Sequence, residues 1–212
     1  MTSHHLNILT FNLSFHSSAD KITLHISTLN AEAPNTDLFC LQEITPSEFK
    51  TISAAFPYFQ GFMSSGYAIF VRRSVFEVAE VHENVNAAMI HVLHNPSNKI
   101  IEIWSLQADY SLIENLLSSY PQIICGQITN LPKRPEKFIH LLRKVGDFEP
   151  THPYKEEKPP TGILIQGLNP VSGDVLDMGL WKIKDEESRV QRLLELSGSD
   201  YFPVRASLRF PQ

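Results

Sequence analysis

Two patterns alternate along the chain: short, nearly unbroken apolar runs and longer stretches in which apolar residues recur at helical spacing. Residues 6–13 (LNILTFNL), 37–42 (DLFCLQ) and 121–126 (PQIICG) are of the first kind, and runs of that sort predict strands covered on both faces. Residues 66–72, 86–94, 99–107, 161–167 and 203–210 read as further strands. Thr45, Pro46 and Glu48 form a capping box with proline at the first helical position, and Phe49, Ile52 and Phe56 follow on one helix face. Ser111 and Glu114 repeat the box ahead of Leu112, Ile113, Leu116, Leu117 and Tyr120. Ile22, Ile26, Leu29 and Ala33 predict an earlier helix; Phe138, Leu141, Leu142 and Val145, closed by Gly146, predict a later one. Residues 147–160, with Pro150, Pro153, Pro159 and Pro160 around KEEK, read as a surface loop. The alternation of strands and helices, with no internal repeat or linker, predicts one α/β sandwich domain over residues 1–212.

Composition narrows the class. Over 212 residues, 42% are hydrophobic and 19% charged, which excludes a disordered chain and allows a large core. Eighteen Lys and Arg against 23 Asp and Glu leave a net charge of -5, so no global basic field draws the protein to nucleic acid or anionic lipid. The basic pairs Arg72-Arg73, Lys133-Arg134 and Arg143-Lys144 read as solvated surface. No apolar run is long enough to insert in a membrane and no cleavable signal opens the chain, so a cytoplasmic location is expected, with secretion by a route lacking a signal left open. Cys40 and Cys125 lie inside apolar runs and read as buried free thiols. His91 and His94 form an H-x-x-H, but odd spacing on a strand puts them on opposite faces, which argues against a shared zinc.

Polar residues recur where strands end: Asn12, Glu43, Gln107, Gln127 and Asp200. Ligands of open α/β folds gather at one end of the sheet, so these positions form a candidate site. The segments NILTFNL, DLFCLQE, GYAIFVRRS, IWSLQAD, ICGQITN and SDYFPVRASLRF also stand in the order and rough spacing of the endonuclease/exonuclease/phosphatase superfamily. The chain resembles that family from about residue 6 to residue 210. The resemblance implies a deoxyribonuclease I-like fold, a four-layer sandwich of two mixed sheets packed face to face between helices. It also implies metal-assisted phosphate-ester hydrolysis at one rim. On it, Asn12 matches the asparagine of the first strand, Glu43 the metal-binding glutamate and Asp200 the aspartate that partners the last histidine.

The departures concern the chemistry. The family's central-strand histidine is Gln107 here, its G-D-F-N is Gly126-Gln127-Ile128-Thr129, and its S-D-H-x-P is Ser199-Asp200-Tyr201-Phe202-Pro203. Thr161 and Gly162 stand where a further family aspartate aligns. A glutamine amide cannot take a proton from water near neutral pH, and a tyrosine with a reference pKa near 10 brings no positive charge to a phosphate. Losing one positioned acid or base costs about 10² to 10⁴ in rate. The leading expectation is therefore a binding or regulatory pseudoenzyme that requires no cofactor, with Glu43 at most a weak metal ligand. Its partner is expected to be an unidentified phosphorylated ligand or a protein, and nucleic acid is disfavoured. Two alternatives stay open. One is an active Mg-dependent phosphoesterase using Glu43, Asp200 and Asp109 or His152 as replacement ligands. The other is an interaction scaffold whose rim is plugged by Tyr201 and Phe202.

Overall fold

A computed structural model describes residues 5–14, 19–84, 86–132, 137–140, 161–176, 180–197, 199 and 201–211. Among these residues twelve strands form two six-stranded mixed sheets. The first runs β11 (Asn169–Val175), β12 (Val204–Arg209), β1 (Leu6–Asn12), β2 (Leu38–Gln42), β4 (Tyr67–Arg72), β3 (Phe59–Ser64). The second runs β5 (Phe76–Asn84), β6 (Ala87–His94), β7 (Lys99–Asp109), β8 (Gln122–Thr129), β10 (Thr161–Gln166), β9 (Ile139–His140). Neighbouring strands are antiparallel except for one parallel pair in each sheet, β1 with β2 and β7 with β8.

The sheets pack face to face. Leu6, Ile8, Leu38, Cys40 and Ile69 of the first join Ile90, Ile101, Ile103, Ile123, Cys125 and Ile163 of the second in one buried cluster. The alternate residues of β1 and β2, Leu9, Phe11, Phe39 and Leu41, turn outward onto Leu29 of α1 (Ala19–Glu32) and Ile52 of α2 (Pro46–Ala55). Burial on both faces is why these strands are apolar at nearly every position, and each fully buried side chain of this size stabilises by about 1.5–3 kcal/mol. Ile113 of α3 (Tyr110–Glu114) covers the outer face of the second sheet over Leu106, Ile124 and Leu164. Leu193 of α4 (Glu186–Ser197) packs on Phe202 and Leu180. No helix is long and apolar enough to cross a membrane among the described residues.

The capping box of α2 forms as expected, with Glu48 N–H donating to Thr45 Oγ1 at 3.2 Å and Thr45 N–H donating to Glu48 Oε2 at 2.8 Å. Other expectations are corrected. Ser111 does not cap α3: β7 runs on to Asp109, whose carboxylate accepts the Ser111 N–H at 2.9 Å, and the helix ends after a turn with Leu112 and Leu117 exposed. The helix expected from Phe138 does not start there, because Ile139 and His140 pair with Ile165 and Leu164 as β9; residues 141–160, including the expected loop and His152, lie outside the described residues. Three further strands, β3, β5 and β11, carry too few apolar positions to stand out in the sequence. Arg72 is no solvated surface cation: its Nε donates to Thr36 O at 3.0 Å and its guanidinium stacks on Phe59 at 4.8 Å. The pairs at 133–134 and 143–144 lie outside the described residues. Cys40 and Cys125 are buried and free, and burial together with the neighbouring Cys125 pushes the Cys40 thiol pKa up.

Candidate functional site

Side chains alternate between the two faces of a strand, so the inward positions of each run can be read in order. In β1 they pass from Leu6 and Ile8 to Thr10 and Asn12, and in β2 from Leu38 and Cys40 to Gln42. In β7 they pass from Ile101 and Ile103 to Ser105 and Gln107, and in β8 from Ile123 and Cys125 to Gln127. Antiparallel β10 brings Thr161 opposite Gln127. The carboxyl ends of the parallel strands thus convert the inter-sheet core from apolar to polar, and Thr10, Asn12, Gln42, Ser105 and Thr161 are all fully buried.

The polar layer is stitched across the sheets. Gln42 Nε2 donates to Ser105 Oγ at 3.0 Å and to Thr10 Oγ1 at 3.1 Å, while Ser105 Oγ donates to Leu41 O at 3.0 Å. Above it, Asn12 Nδ2 donates to Glu43 Oε1 at 2.9 Å, and Asn12 Oδ1 accepts the Ser14 N–H at 2.8 Å. Glu43 is held at φ 56° and Ser14 at φ 54°, left-handed conformations that cost a residue with a side chain about 1–3 kcal/mol. Burial raises the Tyr67 pKa, and the charge of Glu43 raises it further, so Tyr67 is neutral beside that carboxylate. Ser199 Oγ donates to Asn12 O at 2.6 Å and accepts the Tyr201 N–H at 3.0 Å, which pins Ser199 and Tyr201 to the end of β1.

On the other sheet Gln107 and Gln127 are register partners, as are Asp109 and Thr129. Gln127 is 2% exposed and its Oε1 has no hydrogen-bond partner among the described residues. Gln107 is exposed and lines a cavity of about 410 Å³ with Tyr67, Asn86, Trp104 and Leu116. Gly126 sets this geometry: its φ is 139°, and a Cβ there would lie 1.8 Å from Leu106 O. The Asp109 carboxylate accepts from Ser111, Asn130 and Thr129, and those bonds, Ser111 first, lower its pKa to about 2.

The structure therefore brings Asn12, Glu43, Ser199 and Tyr201 together at the end of the first sheet, and Gln107, Gln127 and Thr129 together at the end of the second. Tyr201 is buried, and Phe202 points beneath α4 rather than across the rim. Asp200 lies outside the described residues. Thr10, Gln42 and Ser105 were not singled out in the sequence; continuing the inward alternation of each run two residues past its last apolar residue, Ile8, Cys40 and Ile103, finds all three. His91 and His94 do part company: His91 sits with Glu80 and Glu102 outside the second sheet, whereas buried His94 contacts Phe76 and Phe210.

A hard divalent cation such as Mg²⁺ is chosen by charged oxygen ligands. Among the described residues the carboxylates at these strand ends are Glu43 and Asp109. Glu43 already accepts from Asn12, and both Asp109 oxygens hold hydrogen bonds. Amides and hydroxyls make up the remainder among the described residues, a set with less charge than such a cation favours.

No family model matches the sequence, and no curated protein matches it either. Solved structures do match. An endonuclease/exonuclease/phosphatase from Bacteroides vulgatus superposes with a TM-score of 0.74 at 13% identity, covering 98% of this chain and 100% of its own. A mannosyl-6-phosphatase from Bacteroides thetaiotaomicron gives 0.68 at 14% identity, covering 97% and 100%. The human Nocturnin catalytic domain, with a bound sulfate anion, gives 0.69 at 15% identity, covering 98% and 94%. Two mixed sheets packed face to face with flanking helices, superposing on these structures over nearly the whole chain, give this chain the endonuclease/exonuclease/phosphatase fold.

Proposed function

We propose that this chain is a pseudoenzyme of the endonuclease/exonuclease/phosphatase fold, a cytoplasmic binding or regulatory protein whose rim takes a phosphorylated ligand without hydrolysing it. The observation that carries the reading is the pair Gln107 and Gln127, side by side at the ends of β7 and β8, with Thr161 opposite Gln127. An acid and a base are needed at such a rim to activate water, and these groups are amides and a hydroxyl. They can still donate hydrogen bonds to phosphate oxygens. The unpartnered Gln127 Oε1 supports a donor such as water beside the ligand, since a buried acceptor left unpaired costs about 1–3 kcal/mol, while the Gln127 amide N–H is the group that can donate to phosphate. Likeness to a sugar-phosphate phosphatase and to a sulfate-bound domain supports an oxyanion as the recognised group.

Hydrolysis of p-nitrophenyl phosphate and bis-p-nitrophenyl phosphate with Mg²⁺ or Mn²⁺ tests the reading, alongside calorimetric titration with inorganic phosphate. The expected result is phosphate binding weakened at least tenfold by Gln127→Leu, with no turnover above that of Glu43→Ala. Metal-dependent hydrolysis abolished by Glu43→Ala would overturn it in favour of an active, rearranged site.

A further inference from the structure

The outer face of the second sheet carries a cluster that the rim does not use. On β5 the pairing with β6 slips between Val78 and Glu80, and the extra residue moves Glu80 and His82 onto the outer face, with Glu80 opposite His91. Glu80 Oε2 lies 3.2 Å from His91 Nδ1 and 3.2 Å from His82 Nε2, and the two ring nitrogens are 3.4 Å apart. An ion bound tetrahedrally at about 2.0–2.1 Å holds its ligand atoms about 3.3–3.4 Å from one another, so this triangle has the dimensions of one face of such a site.

The far side of His91 is prepared as well. Its Nε2 lies 3.1 Å from Glu102 Oε2, and Glu102 also accepts from Trp104 Nε1 at 2.7 Å, Gln122 Nε2 at 2.6 Å and Ser118 Oγ at 2.9 Å. A carboxylate surrounded by donors takes the Nε2 proton as a further hydrogen bond and leaves the Nδ1 lone pair directed at Glu80 and His82. A carboxylate that fixes the tautomer and orientation of a ligand histidine is the usual support behind a metal-bound imidazole. We propose that Glu80, His82 and His91 form a zinc site on the outer face of the second sheet, with Glu102 as the positioning residue behind His91. Two imidazoles and one carboxylate suit zinc over the hard cations Mg²⁺ and Ca²⁺. The fourth position opens to solvent, because the Glu80 side chain is 59% exposed and that of His82 34%. The ion would tie edge strand β5 to β6 across the bulge.

Competition of the purified chain with a chromophoric zinc chelator reads stoichiometry and affinity, and Co²⁺ substitution reads geometry through its visible bands. Expected are one zinc per chain, tetrahedral Co²⁺ bands, at least a hundredfold weaker binding in His82→Gln and His91→Gln, and 10–100-fold weaker binding in Glu102→Gln with stoichiometry kept. His82→Gln and Glu80→Gln alter a half-buried and an exposed side chain, and an unchanged melting temperature without metal certifies their folding. Glu43→Ala is expected to bind zinc as the parent does, so failure here is separable from failure at the rim. Absence of zinc binding, or affinity unchanged in both histidine variants, would overturn the site.

Discussion

Replacing Gly126 by alanine tests whether the β8 backbone that sets Gln127 in place is fixed by steric geometry. At φ 139° an L-residue is strained, and its Cβ would sit 1.8 Å from Leu106 O and 2.9 Å from Leu106 C. Both clashing atoms are backbone of the parallel partner strand, so no side chain can swing aside. Conformational strain contributes about 1–3 kcal/mol and forced displacement of a packed ladder about 1–3 kcal/mol more. The sum, about 2–6 kcal/mol, is a large share of the roughly 5–15 kcal/mol that holds a domain together. It corresponds to a melting temperature lower by roughly 5–20 °C. Urea unfolding followed by circular dichroism and tryptophan fluorescence reads it as a shift in midpoint at unchanged slope. Gly162, its register partner, is the internal comparison, because a Cβ there meets only the His140 ring, at 3.0 Å. Gly162→Ala is expected to cost less. A loss below about 1 kcal/mol in Gly126→Ala, or the reverse order, would refute the steric argument.

Other outcomes follow from the same neighbourhood. The Asp109 carboxyl is held at about 2 against an ordinary 3.8, so the unfolded chain binds the proton first; the stabilisation is present above pH 3.8 and lost as pH falls towards 2. Asp109→Asn should flatten that part of the acid limb in urea midpoints measured from about pH 5 down to about pH 2, and an unchanged limb would contradict the assignment. Ser105→Ala removes the hydroxyl that ties β7 of the second sheet to Gln42 and to Leu41 O of the first and should cost about 1–3 kcal/mol in the same assay, since it leaves buried polar groups short of a partner.

The strands buried on both faces were plain in the sequence because burial on both faces writes an unbroken apolar run, as in residues 6–13 and 121–126. The edge strands β3, β5 and β11 were not, since a half-exposed strand needs few apolar residues and β5 carries a bulge that breaks its period. Ser111 misled because a capping-box sequence says nothing of how far the preceding strand runs; three-dimensional pairing carried β7 to Asp109. At the rim, Asn12, Glu43, Gln107 and Gln127 were visible as polar endings. Thr10, Gln42 and Ser105 were hidden because a hydroxyl or amide within an apolar run looks like an interruption until the opposing sheet supplies its partner. The Glu80, His82 and His91 cluster had no spacing to reveal it, being assembled from two strands across a bulge.

The order of strands in the first sheet also bears on how the chain reaches its folded state. Leu6 pairs with Leu208, so β12 must enter between β1 and β11 before that sheet is whole. Closing a loop of that length costs roughly 2.5–3 kcal/mol more in chain entropy than closing a ten-residue hairpin. The second sheet draws all its strands from one continuous stretch, Phe76 to Gln166. During synthesis from the amino end it can assemble while β12 is still unmade, leaving the edge of β1 unpaired. The strand that carries Asn12 is thus among the last to be secured, and its exposed edge is where a nascent chain of this protein is most open to chaperone capture or mispairing.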